Sequence, residues 1–79
     1  MIKVTYDVAA NAAMIYLDGE IQPRAVAFMY SCDPIDVGGM INLDFDSSGH
    51  LVGIEVLGAS QKLPASVLAN AVIVGRNSK

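Results

Sequence analysis

The chain has few charged residues and little that would support redox or covalent chemistry. Charged side chains make up 16% of its 79 residues, compared with roughly 25% in an ordinary soluble domain. There is no tryptophan, and Cys32 is the single cysteine. A lone cysteine excludes an intramolecular disulfide and fits a reducing compartment. No apolar run approaches the roughly 18 residues that a membrane-spanning helix needs, so we expect no membrane partner. The N-terminal residues have the pattern of a strand and not the basic start and long apolar segment of a signal peptide, so we expect a cytoplasmic protein.

Basic residues are also scarce. Five Lys and Arg stand against eight Asp and Glu, which gives a formal net charge of −3. The basic residues are scattered along the chain as Lys3, Arg24, Lys62, Arg76 and Lys79. Because binding to nucleic acid depends on clustered positive charge that neutralises phosphates, we expect no nucleic-acid partner.

Apolar residues are abundant for so short a chain, at 53% of the sequence. A domain of this size hides only about 60% of the surface that its unfolded chain exposes. We expect a single small sheet-rich domain over residues 1–74, followed by a disordered polar tail at residues 75–79. With too few charged side chains to cover the remaining surface, the composition predicts a homodimer or a higher homo-oligomer.

Residues 40–57 contain two alternating apolar runs joined by a turn signal, which is typical of a β-hairpin. Alternation places one apolar set on a single side of the ribbon, and a slip of one residue would destroy the match. The turn is either the two-residue loop Ser48 and Gly49 or a four-residue loop over residues 46–49. The predicted facing pairs are Phe45 with Val52, Leu43 with Ile54, and Ile41 with Val56.

The other segments predict an α+β fold with a mostly antiparallel sheet of about five strands, two hairpins and one short C-terminal helix. Residues 25–30 are apolar on both faces, so we expect that strand to be covered on both sides. Residues 72–74 either prolong the helix or form a short strand. The remaining predictions are strands at residues 2–6 and 13–17, a loop or edge segment at 20–24, an exposed loop at 31–39, a connector at 58–62 and a helix at 64–71.

One motif has the spacing of a calcium-binding loop. Asp44, Asp46, Ser48 and Glu55 stand at the first, third, fifth and twelfth positions of such a loop, with Gly49 at the sixth. A calcium loop of this kind needs a helix on each side, whereas the flanking residues here have the pattern of strands. We therefore interpret these residues as a polar sheet face and a turn, and we predict no metal site.

No group of residues satisfies the needs of catalysis, so we assign no catalytic residue and no cofactor. His50 is the single histidine and stands beside the turn, where we expect it to be solvated. Cys32 has no neighbouring cation in sequence that would lower its pKa. Large soft side chains suit a core or subunit interface, or else a ligand groove. These are Met14, Tyr16, Phe28, Met29 and Tyr30.

Two segments resemble DUF2283, a family of small bacterial proteins of unknown function. The first is residues 6–17, where Tyr-Asp precedes an Ala-rich turn and a strand, and the second is residues 43–57, continuing through Ala59-Ser60 and Leu63-Pro64. The chain departs from the family pattern at Val8 and Ala9, where Pro and Glu are frequent, and at Asn11, where an acid is frequent. The resemblance implies a small sheet-rich fold without an assigned activity. It also implies an antitoxin-type binding role, since relatives resemble companions of small toxin-like proteins.

Together these features favour a non-enzymatic interaction module that self-associates and that also binds a protein partner. The alternative is a small-molecule-binding or enzymatic protein with a site at the subunit interface. A flat apolar surface would favour the module, whereas converging polar groups in a pocket would favour the alternative.

Overall fold

The computed structural model describes residues 2–18 and 26–75, which form a six-stranded sheet and three short helices. The strands are β1 (Lys3–Asp7), β2 (Ala12–Tyr16), β3 (Phe28–Ser31), β4 (Met40–Phe45), β5 (Leu51–Leu57) and β6 (Val72–Val74). The helices are α1 (Pro34–Val37), α2 (Ala59–Lys62) and α3 (Ala65–Ala69). The α+β class with a mostly antiparallel sheet is confirmed, although the predicted five strands and single helix are too few.

The sheet has the strand order β3-β4-β5-β2-β1-β6. The hairpins β1-β2 and β4-β5 meet where β2 pairs antiparallel with β5, and β3 pairs antiparallel with β4. The sixth strand is β6, which pairs parallel with β1. Residues 72–74 therefore form the short strand that the sequence left open. The predicted segment at residues 20–24 lies outside the described residues.

The β4-β5 hairpin has the predicted register except at its tip. Leu43 faces Ile54 and Ile41 faces Val56, which confirms these two pairs. The predicted Phe45–Val52 pair is wrong, because the register shifts after Asp44 and Phe45 faces Leu51. The extra residue in β5 accommodates a turn over residues 46–49, in which the Gly49 N–H donates to the Asp46 carbonyl at 3.0 Å. Gly49 takes the positive φ of 86° that this turn requires.

Two segments that we predicted as a loop and a connector contain short helices. At residues 31–39 the Asp33 carboxylate accepts the Ile35 N–H at 2.9 Å, Pro34 begins α1, and Gly38 ends it with φ of 67°. At residues 58–62 the positive φ of Gly58 turns the chain into α2. The C-terminal helix is α3, and it is shorter than the predicted helix at 64–71.

The core lies on one side of the sheet, which we call the helix face. Ala13 of β2, Val56 of β5 and Ala59 of α2 are its buried apolar residues. α2 packs on β2 and β5, and α3 packs on β1. The partly buried residues around them are Tyr6, Ile41, Ile54, Leu63 and Leu68. These two short helices lie at the β1-β2-β5 part of the sheet, so β3 at the far edge receives no helix from the described residues.

The environment of β3 contradicts the prediction that residues 25–30 would be covered on both sides. All four residues of β3 are exposed in the single chain. The apolar pattern on both faces predicts burial, but the helices α2 and α3 pack on β1, β2 and β5, away from this edge of the sheet. Residue 25 lies outside the described residues, as do residues 76–79 of the predicted tail.

Candidate functional site

β3 presents three large apolar side chains at the edge of the sheet. Phe28, Met29 and Tyr30 are 55%, 53% and 57% exposed. Phe28 and Tyr30 lie on the helix face opposite Phe45 and Leu43, and Met29 lies on the other face. The Phe28 ring stacks on the Phe45 ring with 4.8 Å between centroids, which is a favourable aromatic geometry that fixes the Phe28 side chain. The edge therefore carries an ordered apolar surface.

The backbone of β3 also has unused pairing capacity. The Cys32 N–H donates to the Ile41 carbonyl at 2.9 Å, in the same register that pairs β3 with β4. Because hydrogen bonding alternates along an antiparallel strand, Met29 and Ser31 direct their backbone N–H and C=O groups away from β4. Among residues 2–18 and 26–75, no strand pairs with this outer side of β3.

The β3 edge lacks the charged and proline residues that often protect a sheet edge from pairing with another chain. Such edges are commonly blunted by Lys, Pro, a bulge or very short length. Residues 25–32 contain no charged residue, no proline and no glycine. At the opposite edge, β6 has only three residues and ends at Gly75 with φ of 67°. β3 is therefore the edge better suited to extending the sheet.

An exposed isoleucine follows the strand along the chain. Ile35, on α1 directly after β3, is 90% exposed. α1 is held in place because the Lys62 ammonium of α2 donates to the Val37 carbonyl and lies against Gly38. Its position is thus fixed by the fold, and Ile35 forms part of what we call the β3 edge surface, which is Phe28, Met29, Tyr30 and Ile35.

The calcium-like residues are distributed between a turn and a sheet face. The Asp46 carboxylate accepts the N–H groups of Ser48 and His50, each at 2.9 Å, so it organises the hairpin turn. These backbone hydrogen bonds, led by that of His50, lower the pKa of Asp46. Asp44 and Glu55 lie on neighbouring strands, and the flanking segments are strands rather than helices.

The face opposite the helices holds a small polar cluster of Asn42, Asp44 and Glu55. Asp44 and Glu55 were interpreted from the sequence as part of a polar sheet face, and the structure shows that Asn42 and Asp44 are buried there, at 7% and 8% exposure. Asn42 Nδ2 donates to Glu55 Oε1 at 3.1 Å, and the buried Asn42 Oδ1 accepts no hydrogen bond from residues 2–18 or 26–75. Burial raises the pKa of Asp44, and the neighbouring Glu55 carboxylate raises it further.

The remaining candidates do not converge on one site. In the described parts of the chain, no group of three or more His, Cys, Asp or Glu residues could hold a metal ion. The His50 side chain is 78% exposed and lies 3.5 Å from the Asp46 carboxylate. The five soft residues are divided between the two faces, with Phe28 and Tyr30 on the helix face. Register places the other three on the opposite face, namely Met14, Tyr16 and Met29.

The fold and its exposed edge define a small α+β protein with an exposed apolar strand at one edge of its sheet. The chain belongs to the family described as Protein of unknown function (DUF2283), whose model matches residues 3–60. This match ends before α3 and β6, so those two elements lie beyond the family segment.

A curated relative provides a second comparison. The chain is 30% identical over 69 residues to the Probable ABC transporter permease protein NosY of Stutzerimonas stutzeri, and the match covers 86% of this chain but 25% of the relative. The chain thus spans about a quarter of the length of that protein. No helix in residues 2–18 or 26–75 is long and apolar enough to cross a membrane. No solved structure matches the chain.

Proposed function

We propose that the protein is a non-enzymatic module that self-associates through the β3 edge surface. The observation that carries this proposal is the exposure of Phe28, Met29 and Tyr30 on a strand whose outer side pairs with no strand of the described residues. Contiguous apolar patches of several hundred Å² are uncommon on soluble monomers and mark interaction sites. When another chain docks at this edge, the apolar side chains gain packing contacts and the outward backbone N–H and C=O groups gain hydrogen-bond partners.

A second copy of the same chain suits this surface. The surface carries no charged residue over residues 25–32, so two copies can meet without like-charge repulsion. A twofold axis lets each copy use the same residues and closes the assembly at two chains. A stable interface buries roughly 800 Å² on each partner, which requires the flanking Ile35 and Phe45 as well as β3 itself.

The dimer also provides the module with a surface for another protein. Self-association at β3 leaves the β6 edge, where Val72 and Ile73 are 51% and 40% exposed, available for a different chain. This second role is the binding function that the family resemblance implies, and it involves no chemistry at the described residues.

A charge placed at the β3 edge tests self-association. Tyr30→Lys introduces a cation into the proposed interface, where its desolvation opposes docking. Ile73→Lys, at the other edge of the sheet, is the matched control because Ile73 is also apolar and 40% exposed. Light scattering after size-exclusion chromatography should give a monomer for Tyr30→Lys and the wild-type mass for Ile73→Lys. Equal masses for the two variants would contradict the assignment of the surface.

A further inference from the structure

We infer that two copies pair through β3 in antiparallel orientation, with the twofold axis at Tyr30, to form one continuous sheet. This inference rests on the proposed self-association and adds the register of the interface. Strand addition at a free sheet edge satisfies backbone groups that otherwise bond only to water. The two six-stranded sheets would then join as one sheet across the axis.

The backbone groups of β3 select the register. In a register centred on Tyr30, Met29 of one copy lies opposite Ser31 of the other, and each pair exchanges two hydrogen bonds. All outward N–H and C=O groups of these two residues are thereby used. Centring the axis on Met29 instead brings Ala27 opposite Ser31, but the Ala27 N–H already donates to the Phe45 carbonyl at 2.7 Å.

Centring the axis on Ser31 is unfavourable for a similar reason. That register brings Asp33 opposite Met29, and the Asp33 carbonyl already accepts the Val37 N–H at 3.1 Å within α1. The Asp33 carboxylate is also committed, since it caps α1 at Ile35. The register centred on Tyr30 is therefore the one in which both outward residues of β3 find free partners.

The same register brings the exposed apolar side chains together. Tyr30 meets its own copy in a pair without direct hydrogen bonds, where antiparallel side chains approach closely. Phe28 lies opposite Cys32 of the second copy, on the same face as the Tyr30 pair. The Phe28–Phe45 stack of each chain thus extends into an aromatic cluster across the axis. The Phe28 and Tyr30 side chains of each copy thus gain neighbours from the second copy on the same face of the joined sheet.

Pairing through the β6 edge would not close the assembly at two chains. If β3 paired with β6 of another copy, each chain would keep one free β3 and one free β6 at the ends of the assembly. Such a head-to-tail contact continues into an open filament unless the rotation closes a ring. The β3–β3 contact consumes both β3 edges at once, and it leaves only the short β6 edges exposed.

Cysteine cross-linking tests this register. The Cα atoms of an antiparallel pair without direct hydrogen bonds are about 4.5 Å apart, within the range that a disulfide spans. In a Cys32→Ser background, Tyr30→Cys should therefore form an intermolecular disulfide in a glutathione redox buffer. Met29→Cys is the control, because the two Met29 positions are offset by two residues along the strands and cannot be bridged. A non-reducing denaturing gel should show a covalent dimer for Tyr30→Cys alone.

The outcomes separate the register from self-association. The register would be wrong if Met29→Cys formed the disulfide in place of Tyr30→Cys. It would also be wrong if neither variant formed a disulfide while both kept the mass of a dimer. Neither result would contradict self-association. A monomeric mass for the Cys32→Ser parent would overturn both.

Because Tyr30→Cys removes an interface side chain, amide hydrogen exchange of the wild type supplies a second measurement. The N–H groups of Met29 and Ser31 should be protected at high protein concentration and lose that protection on dilution. Fast exchange at both residues in the dimer would refute the inference.

Discussion

Asn11 and Ser60 are joined by two hydrogen bonds that fasten the β1-β2 turn to α2. The Ser60 N–H donates to Asn11 Oδ1 at 3.0 Å, and Asn11 Nδ2 donates to Ser60 Oγ at 3.0 Å. The Tyr6 hydroxyl donates to the same Oδ1 at 2.8 Å. Asn11 has a φ of 52°, a left-handed conformation that asparagine tolerates better than most residues. One side chain therefore positions the turn, the helix and a residue that packs against the core.

Substitutions at Asn11 should separate its two contributions. Asn11→Ala loses the side-chain hydrogen bonds and keeps the strained backbone, so we expect a loss of about 2–3 kcal/mol in the free energy of unfolding. Asn11→Asp keeps an acceptor for Tyr6 and Ser60, and the acid that is frequent here in the family should therefore be tolerated. Urea denaturation measures both variants. An Asn11→Ala variant as stable as the wild type would show that this contact does not hold α2.

A charge in the hairpin should unfold the protein. Ile54 faces Leu43 across the hairpin and packs against the core, so Ile54→Asp would bury an unpaired carboxylate at a cost of about 3 kcal/mol or more. Val8→Asp is the control, because Val8 is 54% exposed on the β1-β2 turn. Thermal denaturation followed by circular dichroism should show a cooperative transition for Val8→Asp and none for Ile54→Asp. Wild-type melting of the Ile54 variant would contradict the core assignment.

The buried carboxyl of Asp44 should make stability depend on pH. Because burial and Glu55 raise its pKa in the folded state, the folded protein binds this proton more tightly than the unfolded chain does. The ionised Asp44 carboxylate therefore lowers the free energy of unfolding at pH values above its folded-state pKa. This destabilisation disappears as the pH falls from the folded-state pKa to the pKa of the unfolded chain. Asp44→Asn should raise the melting temperature at neutral pH, and the difference from the wild type should shrink in acid. A loss of stability at neutral pH on Asp44→Asn substitution would refute the argument.

Calcium should not bind the motif at residues 44–55. Asp46 already uses its carboxylate to hold the turn, and the flanking strands do not supply the two helices of a calcium loop. Isothermal titration with millimolar calcium should give no saturable heat, and the melting temperature should not rise beyond the effect of ionic strength. A saturable signal that Asp44→Ala abolishes would establish a site that this account lacks.

The hairpin register could be predicted because alternation fixes which side chains share a face. Leu43 with Ile54 and Ile41 with Val56 follow from that alternation alone, since a slip by one residue would reverse both faces. The tip could not be predicted in the same way, because the shift after Asp44 depends on how the Asp46 side chain and backbone close the turn. Such local hydrogen bonding leaves no periodic signal in the sequence.

The short elements show a different limit. α1 has four residues, too few for a helical period to appear, although Asp33, Pro34 and Gly38 supplied cap signals that we took for loop signals. β6 was ambiguous because its three β-branched residues suit a strand only if a partner is present. That partner is β1, at the other end of the chain. Local sequence carries little information about such a distant contact.

The sequence indicated the candidate site through the apolar pattern of residues 25–30, which is unusual for a chain too short to bury many residues. Residues 25–30 have the apolar composition of a strand covered on both sides, yet Phe28, Met29 and Tyr30 are about half exposed in the single chain. The pattern indicated the importance of the strand, but it could not indicate that β3 stands at the sheet edge. That position depends on the pairing of β3 with β4 at one end of the sheet.

The central claim is that the folded unit contains at least two copies, joined at the β3 edge. Sedimentation equilibrium of the unmodified protein at low micromolar concentration measures this directly, because the fitted mass does not depend on molecular shape. The account predicts at least twice the chain mass of 8.3 kDa. A single species at the mass of one chain would contradict it, and would leave the exposure of Phe28, Met29 and Tyr30 without the partner proposed for them.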